Sequence, residues 1–571
     1  MAKNIVADKD IIQKIATRKG ELKTERTSFI SHWQEINKFI SPRSARFLRS
    51  DVNKGYKRQQ EMVNETVLFS RRTFESGLMA GMSSAVRPWF GLGPPDPGMK
   101  DFAPVKAWLD TVIKSMREQF VRSNVYAVLP KAYGCCGDYG TAAFGIQEDQ
   151  RDVFRCYPFP IGTFMISTND RMLVDVLYRE FSMTVRQLVE KFGLENVSTN
   201  VRNLWDKGSY SQWVPVIHAM EPNFARMGGK LDSRDKAFLS VYYEDGGNEN
   251  KPLRIAGFDD FPAIVPRFYV NGEDSYGTDC PGMMCLGSQK ALQLEERRKY
   301  QGIDKMVNPP VNVDATLRNV GANLLPGGTN FIAGLAQSAN AGIRPVYQVA
   351  PQLGDLKEDI KEVEARIRRA YYEDIMLMLA QSDNPQMTAR EIDERSQEKL
   401  LVLGPLMEQF NDDLFDPLID RTFSAMMRRG MFPPPPEELQ GKPLRVEYTS
   451  IMAQAQKLVG VASVERFIGF VTNMATTTQH FEILHNIDFD ETVREYGDMT
   501  GVTSKLIRPA DVVKAQREEE AKAQQQQAAL ASLPALSQGA TAVKNLSETN
   551  VEGVRDLAGL MTGMGGGVAN G

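Results

Sequence analysis

The side chains best suited to nucleophilic, acid–base or metal chemistry are few and scattered. The four histidines are His32, His218, His480 and His485. The last two stand five apart, which puts them on different faces of a helix, and no His-Glu-x-x-His run is present to hold a catalytic zinc. All four read as ordinary helix-face histidines. The five cysteines are Cys135, Cys136, Cys156, Cys280 and Cys285. Their spacing fits no Cys-x2-Cys zinc pairing, so they read as buried free thiols. The acidic run Asp488-Phe489-Asp490-Glu491 could offer oxygens to a hard cation, but it stands where a helix should begin and reads as its cap. Gly228-Gly229-Lys230 lacks the rest of a phosphate loop. The basic stretch Arg43, Arg46, Arg49, Lys54, Lys57 and Arg58, interleaved with Phe47 and Tyr56, could touch phosphates. It reads better as a solvated loop face or a protein contact. No catalytic, cofactor or metal constellation emerges, and the chain does not read as an enzyme.

Elements capable of positioning such groups must come from a long chain. Its 571 residues exceed one hydrophobic core and predict two to four domains. Lys and Arg total 68 against 72 Asp and Glu, a net charge of −4. A protein whose task is tight nucleic-acid binding shows a basic surplus, and this one does not. The odd cysteine count fits no disulfide framework and predicts a reducing compartment. Residues 1–10 lack the apolar core of a secretory signal, and no run approaches the ~20 apolar residues of a membrane span. The expectation is a protein made and used in a cytoplasm, with no membrane partner.

Apolar periodicity predicts a helix over about Asp8–Phe39, a second over Glu61–Ser84 and a third over Val105–Arg122. The stretch Tyr133–Gln147 is glycine-rich. Alternating runs in 151–181 and 210–270, with a short helix at Thr184–Phe192, predict a mixed α+β body. Two charged helices, about Leu286–Lys305 and Asp355–Ala380, flank a turn-rich, strand-bearing excursion over Val307–Pro351. The second helix carries the stripe Ile360, Val363, Ile367, Tyr371, Ile375 and Met378, and the i,i+4 pairs Glu362–Arg366 and Glu364–Arg368, each worth about 0.3 kcal/mol when exposed. The polar connector Gln381-Ser382-Asp383-Asn384-Pro385-Gln386 leads into a long amphipathic helix. That helix opens with the Thr388/Glu391 capping box and carries Leu400, Leu403, Met407, Phe410, Leu414 and Leu418 on one stripe. Pro405 and Pro417 remove amide donors and predict bends or local rebuilding. More helices follow Val446, and a Gln-rich, Gly-rich tail ends the chain. The fold class is α+β, mainly helical.

With these segments in order, the chain resembles the portal proteins of short-tailed bacteriophages, the head-to-tail connecting family. Four places carry the resemblance: Trp33, Ile36, Phe39-Ile40-Ser41-Pro42-Arg43; Pro88-Trp89-Phe90-Gly91-Leu92 after a helix; Met387-Thr388-Ala389-Arg390-Glu391-Ile392 with Leu403-Gly404-Pro405 and Asp416-Pro417-Leu418-Ile419-Asp420-Arg421; and Val446-Glu447-Tyr448-Thr449-Ser450 with Ala453-Gln454-Ala455-Gln456-Lys457, Asp488-Phe489-Asp490 and Gly501-Val502. The family usually has threonine where this chain has Arg390. The resemblance covers about residues 10–525.

The resemblance implies a ring, typically of twelve subunits, around a DNA channel at one capsid vertex, with the hydrolytic motor on a separate protein. Residues 1–285 would be the wing. Residues 286–306 and 354–380 would be stem helices lining the channel through Glu295, Arg298, Glu362, Arg366 and Arg369. Residues 307–353 would be the clip, docking through Asn312, Arg318, Asn330 and Arg344. Residues 381–387 would be the tunnel loop, with Gln381, Ser382, Asp383, Asn384, Pro385 and Gln386 facing DNA. Residues 388–445 would return to the wing, 446–525 would form the crown or barrel, and 526–571 a flexible tail. The implied partners are other copies of the chain, double-stranded DNA, the major capsid protein, scaffolding protein, the terminase large subunit, and the tail adaptor and tail proteins. The implied location is the virion, assembled in the host bacterial cytoplasm. Another structural virion component, such as a head–tail adaptor or internal scaffold, is the alternative.

Overall fold

The computed structural model describes residues 8–55, 62–94, 96, 99, 102–149, 151–227, 233–246, 251–307, 311–312, 344–345, 353–381, 403–441, 444–500, 508 and 512–523. Four helices open the chain: α1 (Asp8–Phe39), α2 (Thr66–Met82), α3 (Ala103–Arg122) and α4 (Val125–Tyr139). Each buries the side its apolar spacing marks. In α2 the inward residues are Val67, Ser70, Phe74, Gly77, Leu78, Gly81 and Met82. The fourth helix falls where composition pointed only to glycine. Gly134 and Gly137 disfavour a helix by about 1 kcal/mol each, yet a Cβ at Gly134 would lie 1.9 Å from Glu75 Oε1 and one at Gly137 2.8 Å from the Phe74 ring. Close approach of α2 and α4 therefore overrides local propensity.

The strands form a mixed body. Strands β2 (Ala143–Asp149), β3 (Val153–Phe159) and β9 (Ala263–Ile264) make a sheet of order β3-β2-β9. Strands β4 (Phe164–Thr168), β5 (Val174–Thr184), β6 (Trp213–Pro222), β7 (Phe238–Glu244) and β8 (Pro252–Phe258) form an antiparallel meander in that order. One face of the meander packs Tyr178, Ile217, Val241 and Tyr243 against Ile12, Ile15 and Leu22 of α1. The other packs Val214, Val216, Tyr242 and Leu253 against α5 (Val185–Phe192) and the segment running to α6 (Thr199–Asp206). Thr184 and Gln187 form a reciprocal capping box at the start of α5. The α+β class read from the sequence is the class observed. His218 corrects the expectation for the histidines: it lies in β6, buried, and not on a helix face.

Strand β1 (Phe90–Gly93) pairs antiparallel with β12 (Arg445–Tyr448), Phe90 opposite Tyr448. Two of the four stretches that carried the resemblance thus meet across 350 residues of chain. Trp89 joins them, its ring 4.7 Å from that of Phe90, 5.8 Å from Phe120 and 5.1 Å from Phe415.

A long helix α7 (Pro281–Val307) packs along α8 (Leu353–Ala370). Between them, β10 (Val311–Asn312) pairs with β11 (Arg344–Pro345). The predicted single helix Asp355–Ala380 is in fact two, because Tyr372 takes a left-handed φ of +52° and restarts the chain as α9 (Glu373–Gln381).

The helix predicted across both prolines is rebuilt where its amide donors are missing. Helix α10 (Gly404–Phe410) passes through a π turn, Asn411–Phe415, into α11 (Asp416–Arg428), with Pro405 and Pro417 each in the first turn of its segment. Leu403, Met407, Phe410, Leu414 and Leu418 are all buried, as the stripe predicted. The capping box at Thr388 and Leu400 lie outside the described residues. Helices α12 (Ile451–Thr478) and α13 (Phe489–Thr500) follow. Asp488 caps α13, its Oδ1 accepting from the amides of Asp490 and Glu491 at 3.0 Å each. The tail at 526–571 lies outside the described residues.

Candidate functional site

The region that could work mechanically is the α7–α8 pair, the strand pair between its ends, and the joint at α9. Ile360, Val363 and Ile367 of α8 are buried while Glu362, Arg366 and Arg369 are exposed, so the amphipathic stripe settles which side faces outward. Arg366 donates to Glu362 at 2.7 Å, and Arg368 lies 3.6 Å from Glu364. Arg298 of α7 is exposed and Glu295 half-buried. Burial, and then the neighbouring Asp359, push the Glu295 carboxyl above its usual range. Helix α8 carries five acidic and five basic residues, so taken as a whole it has no net charge with which to hold a polyanion.

The pair is tied to the body by a polar clasp around the start of α2. Gln293 Oε1 accepts from the amides of Val63 and Asn64 at 2.5 and 3.0 Å, and its Nε2 donates to the Asn64 carbonyl at 2.9 Å. The Asn64 side chain then donates to Glu364 Oε1 at 2.8 Å and Glu296 Oε1 at 3.3 Å. One asparagine therefore bridges α7, α8 and the amino end of α2, whose Thr66 amide also donates to Asn64 Oδ1 at 2.9 Å. One turn earlier on α7, Lys290 pairs with Glu35 at 2.7 Å and Gln289 donates to the Phe39 carbonyl at 3.1 Å.

The α8–α9 joint is anchored more deeply. Tyr371, fully buried, donates to Asp138 Oδ1 at 2.9 Å, while Arg71 Nε donates to Asp138 Oδ2 at 2.5 Å. Arg71 also lies 2.9 Å from Glu75. Burial pushes the Glu75 carboxyl up to about 7; Arg71 opposes this, but Arg71 is shared with Asp138, whose own charge works in the same direction as burial. Ser70 donates to Glu373 at 2.7 Å at the first residue of α9. The joint is thus fixed by buried hydrogen bonds from α2 and α4. The closeness of α9 to α2 rests on Gly77, where a Cβ would lie 2.5 Å from Met376 Cβ.

A second buried tie holds the π turn to the body. Arg267 grips Asp413 through Nε–Oδ2 at 2.8 Å and Nη2–Oδ1 at 3.0 Å, and Gln409 donates to the same carboxylate at 2.7 Å. Removing one partner of such a pair typically costs about 3–5 kcal/mol.

The predicted site residues fall out unevenly. Asn312 and Arg344 are brought opposite each other as register partners of β10 and β11. Arg318 and Asn330 lie outside the described residues. Gln381 ends α9, and Ser382, Asp383, Asn384, Pro385 and Gln386 lie outside the described residues. Glu295 and Arg298 lie on α7, and Glu362, Arg366 and Arg369 on α8. Of the basic stretch, Arg49 is an internal tie, 3.2 Å from Glu180 and 2.5 Å from Asp245. Sequence reasoning missed Asn64, Arg71, Asp138 and the Arg267–Asp413 pair. Gly134 and Gly137, spaced for one helix face, were the available signal of a close helix approach near Asp138.

The cysteines are free thiols, Cys135 half-buried and the other four buried. Burial pushes the Cys135 thiol up to about 12, which leaves it protonated and unreactive at neutral pH. Among the described residues no group of three His, Cys, Asp or Glu side chains could hold a metal ion, and no helix is long and apolar enough to cross a membrane.

What remains is a scaffold: paired charge-balanced helices on a rigid body, tied by buried polar bonds. Residues 12–507 match the family model of the bacteriophage head to tail connecting protein. The chain belongs to this family, whose members are structural parts of the phage particle. It is 44% identical over 553 residues to the portal protein of Salmonella phage epsilon15, covering 97% of this chain and 98% of that protein. It is 40% identical over 538 residues to a probable portal protein of Bordetella phage BPP-1, covering 94% and 95%.

Proposed function

We propose that the chain is the subunit of a portal ring at one capsid vertex, through which double-stranded DNA enters during packaging and leaves at ejection. The observation that carries this reading is the near-complete match in length and order to portal relatives. The α7–β10/β11–α8 succession, in which two paired helices flank a small strand pair, supports it. The α+β body is then the wing, α7 and α8 the stem, 307–353 the clip that receives the terminase and later the tail adaptor, and the segment after Gln381 the tunnel loop. Helices after Val446 form the crown or barrel.

The work is mechanical. DNA has to slide, and each phosphate contact made by a basic lining would retard it. Helix α8, with equal numbers of acids and bases partly paired along its own length, gives a low-adhesion wall. Hydrolysis of nucleotide belongs to a separate motor. A closed ring requires each subunit to present two different complementary faces. Exposed Phe467, Phe470, Phe481 and Val493 around α12 and α13 are apolar surface of the sort such a contact would cover.

Mass in solution tests the reading. Twelve copies of a 63.9 kDa chain make about 770 kDa. Light scattering with negative-stain images should show rings near that mass; a chain that stays monomeric at high concentration overturns the proposal. Deleting 381–386 should leave the rings intact and impair packaging or retention of DNA, whereas loss of the rings would show the tunnel loop to be misplaced.

A further inference from the structure

The meander face turned toward α5 carries one register row that crosses four strands: Arg179 of β5 opposite His218 of β6, His218 opposite Tyr242 of β7, and Tyr242 opposite Arg254 of β8. The His218 ring lies flat on Tyr242, centroids 3.7 Å apart at 9° between planes, with Nε2 2.9 Å from Ser240 Oγ. Lys191, from α5, holds its Nζ 4.6 Å from the centre of the same tyrosine ring. The Arg179 guanidinium lies over two rings, 4.4 Å from the centre of Phe159 and 4.2 Å from that of Phe181. Stacking of this kind occupies the faces of the guanidinium and leaves its N–H edge free. Its Nε is buried and has no hydrogen-bond partner.

Three cations therefore share this face of the meander. Among the described residues no carboxylate pairs with Arg179, Lys191 or Arg254. Burial, with Arg46 adding to it, brings Arg179 down to about 10. Partial desolvation of its ammonium against the Tyr242 ring, then Arg179 and Arg254, brings Lys191 down to about 8, although much of the side chain is exposed. Burial, then Arg179, Lys191 and Arg254, hold the His218 ring neutral. Of the buried arginines elsewhere, Arg267 pairs with Asp413 and Arg26 lies 3.8 Å from Glu180, while Arg421 donates to the backbone carbonyls of Asp260, Phe261 and Ile146. Uncompensated positive charge costs stability, and unlike Arg421 the Arg179 guanidinium has no carbonyl to donate to among the described residues, so an anion bound here would offset that cost.

We propose that this cluster is a binding site for a phosphate-type oxyanion, gripped by the free edge of Arg179 with Lys191 and Arg254 at its mouth. The planar fork of arginine matches two oxygens of such a group, and three cations suit a multiply charged ligand better than a lone carboxylate. The proposal does not depend on ring assembly or on the channel. Two sources supply this chemistry: free inorganic phosphate and the phosphates of a DNA backbone.

The test is calorimetric titration of the full-length protein with inorganic phosphate at low ionic strength, where exposed cations attract most strongly. We expect saturable binding, one phosphate per chain. The double variant K191Q/R254Q changes two exposed side chains and should weaken it roughly 10-fold or more. R179K keeps the charge but loses the fork and should weaken it as well. A short DNA duplex that competes with phosphate identifies the backbone as the source; a duplex that leaves phosphate binding unchanged identifies the free anion. Absence of saturable binding, or equal affinity in K191Q/R254Q, overturns the proposal. So does loss of assembly in those variants when the parent protein binds no phosphate, since the cations would then serve an acidic group of a neighbouring subunit.

Discussion

At the scale of single residues, the chain commits buried polar side chains to ties between its helices. Asp138 is fully buried and accepts from Arg71 and Tyr371, so its charge serves to hold three helices in register. Glu75 is the titratable member of the group. Its carboxyl is raised from 4.5 to about 7 in the folded chain, so the folded state binds that proton more tightly than the unfolded state does. The stability this contributes is complete below about pH 4.5 and is lost as pH rises through about 7. Melting temperatures measured from pH 4.5 to 7.5 should therefore fall less steeply in E75Q than in the parent protein. At the second tie, D413N leaves Arg267 buried beside a weaker partner and should lower the unfolding free energy by about 3 kcal/mol in a denaturant titration. D413L, which leaves the guanidinium no acceptor there, should cost more.

At the scale of elements, much was legible in advance. The bounds of α1, the α7–α8 pair, the strand-rich middle and the inward stripe of α10 and α11 all follow from apolar spacing, because spacing decides which side of an element can be dry. Two features were not. Helix α4 showed in composition only as the start of a glycine-rich stretch, since its glycines are poor helix formers until α2 lies against them. The break at Tyr372 carries no proline or glycine signal; the left-handed residue is held there by the Tyr371–Asp138 bond. The joint should be sensitive to bulk. G77A would put a methyl 2.5 Å from Met376 Cβ, forcing α9 from α2 at a cost of about 1–3 kcal/mol. Faster amide hydrogen exchange confined to α9 and its contacts would report that displacement; an unchanged exchange map would show that the helices adjust without loosening.

At the scale of the whole molecule, family membership was legible from the order of four short stretches, and the structure explains why two of them must occur together. Phe90–Leu92 and Val446–Tyr448 are halves of one antiparallel ladder, and Trp89 joins the aromatic cluster beside it. Replacing Trp89 with alanine removes that cluster's centre and should cost about 3–5 kcal/mol, read as a fall in unfolding midpoint. The remaining candidate site could not be assembled from the sequence. Asn64 meets Glu364 across 300 residues, and no periodicity links positions so far apart. Local spacing is a property of the chain itself, so helix faces, strand alternation and the near-zero charge of α8 were determined by sequence alone. Which polar side chains meet across the body, where α8 breaks into α9, and which cations are left without a partner depend on distances between remote segments, and those were decided only when the chain folded.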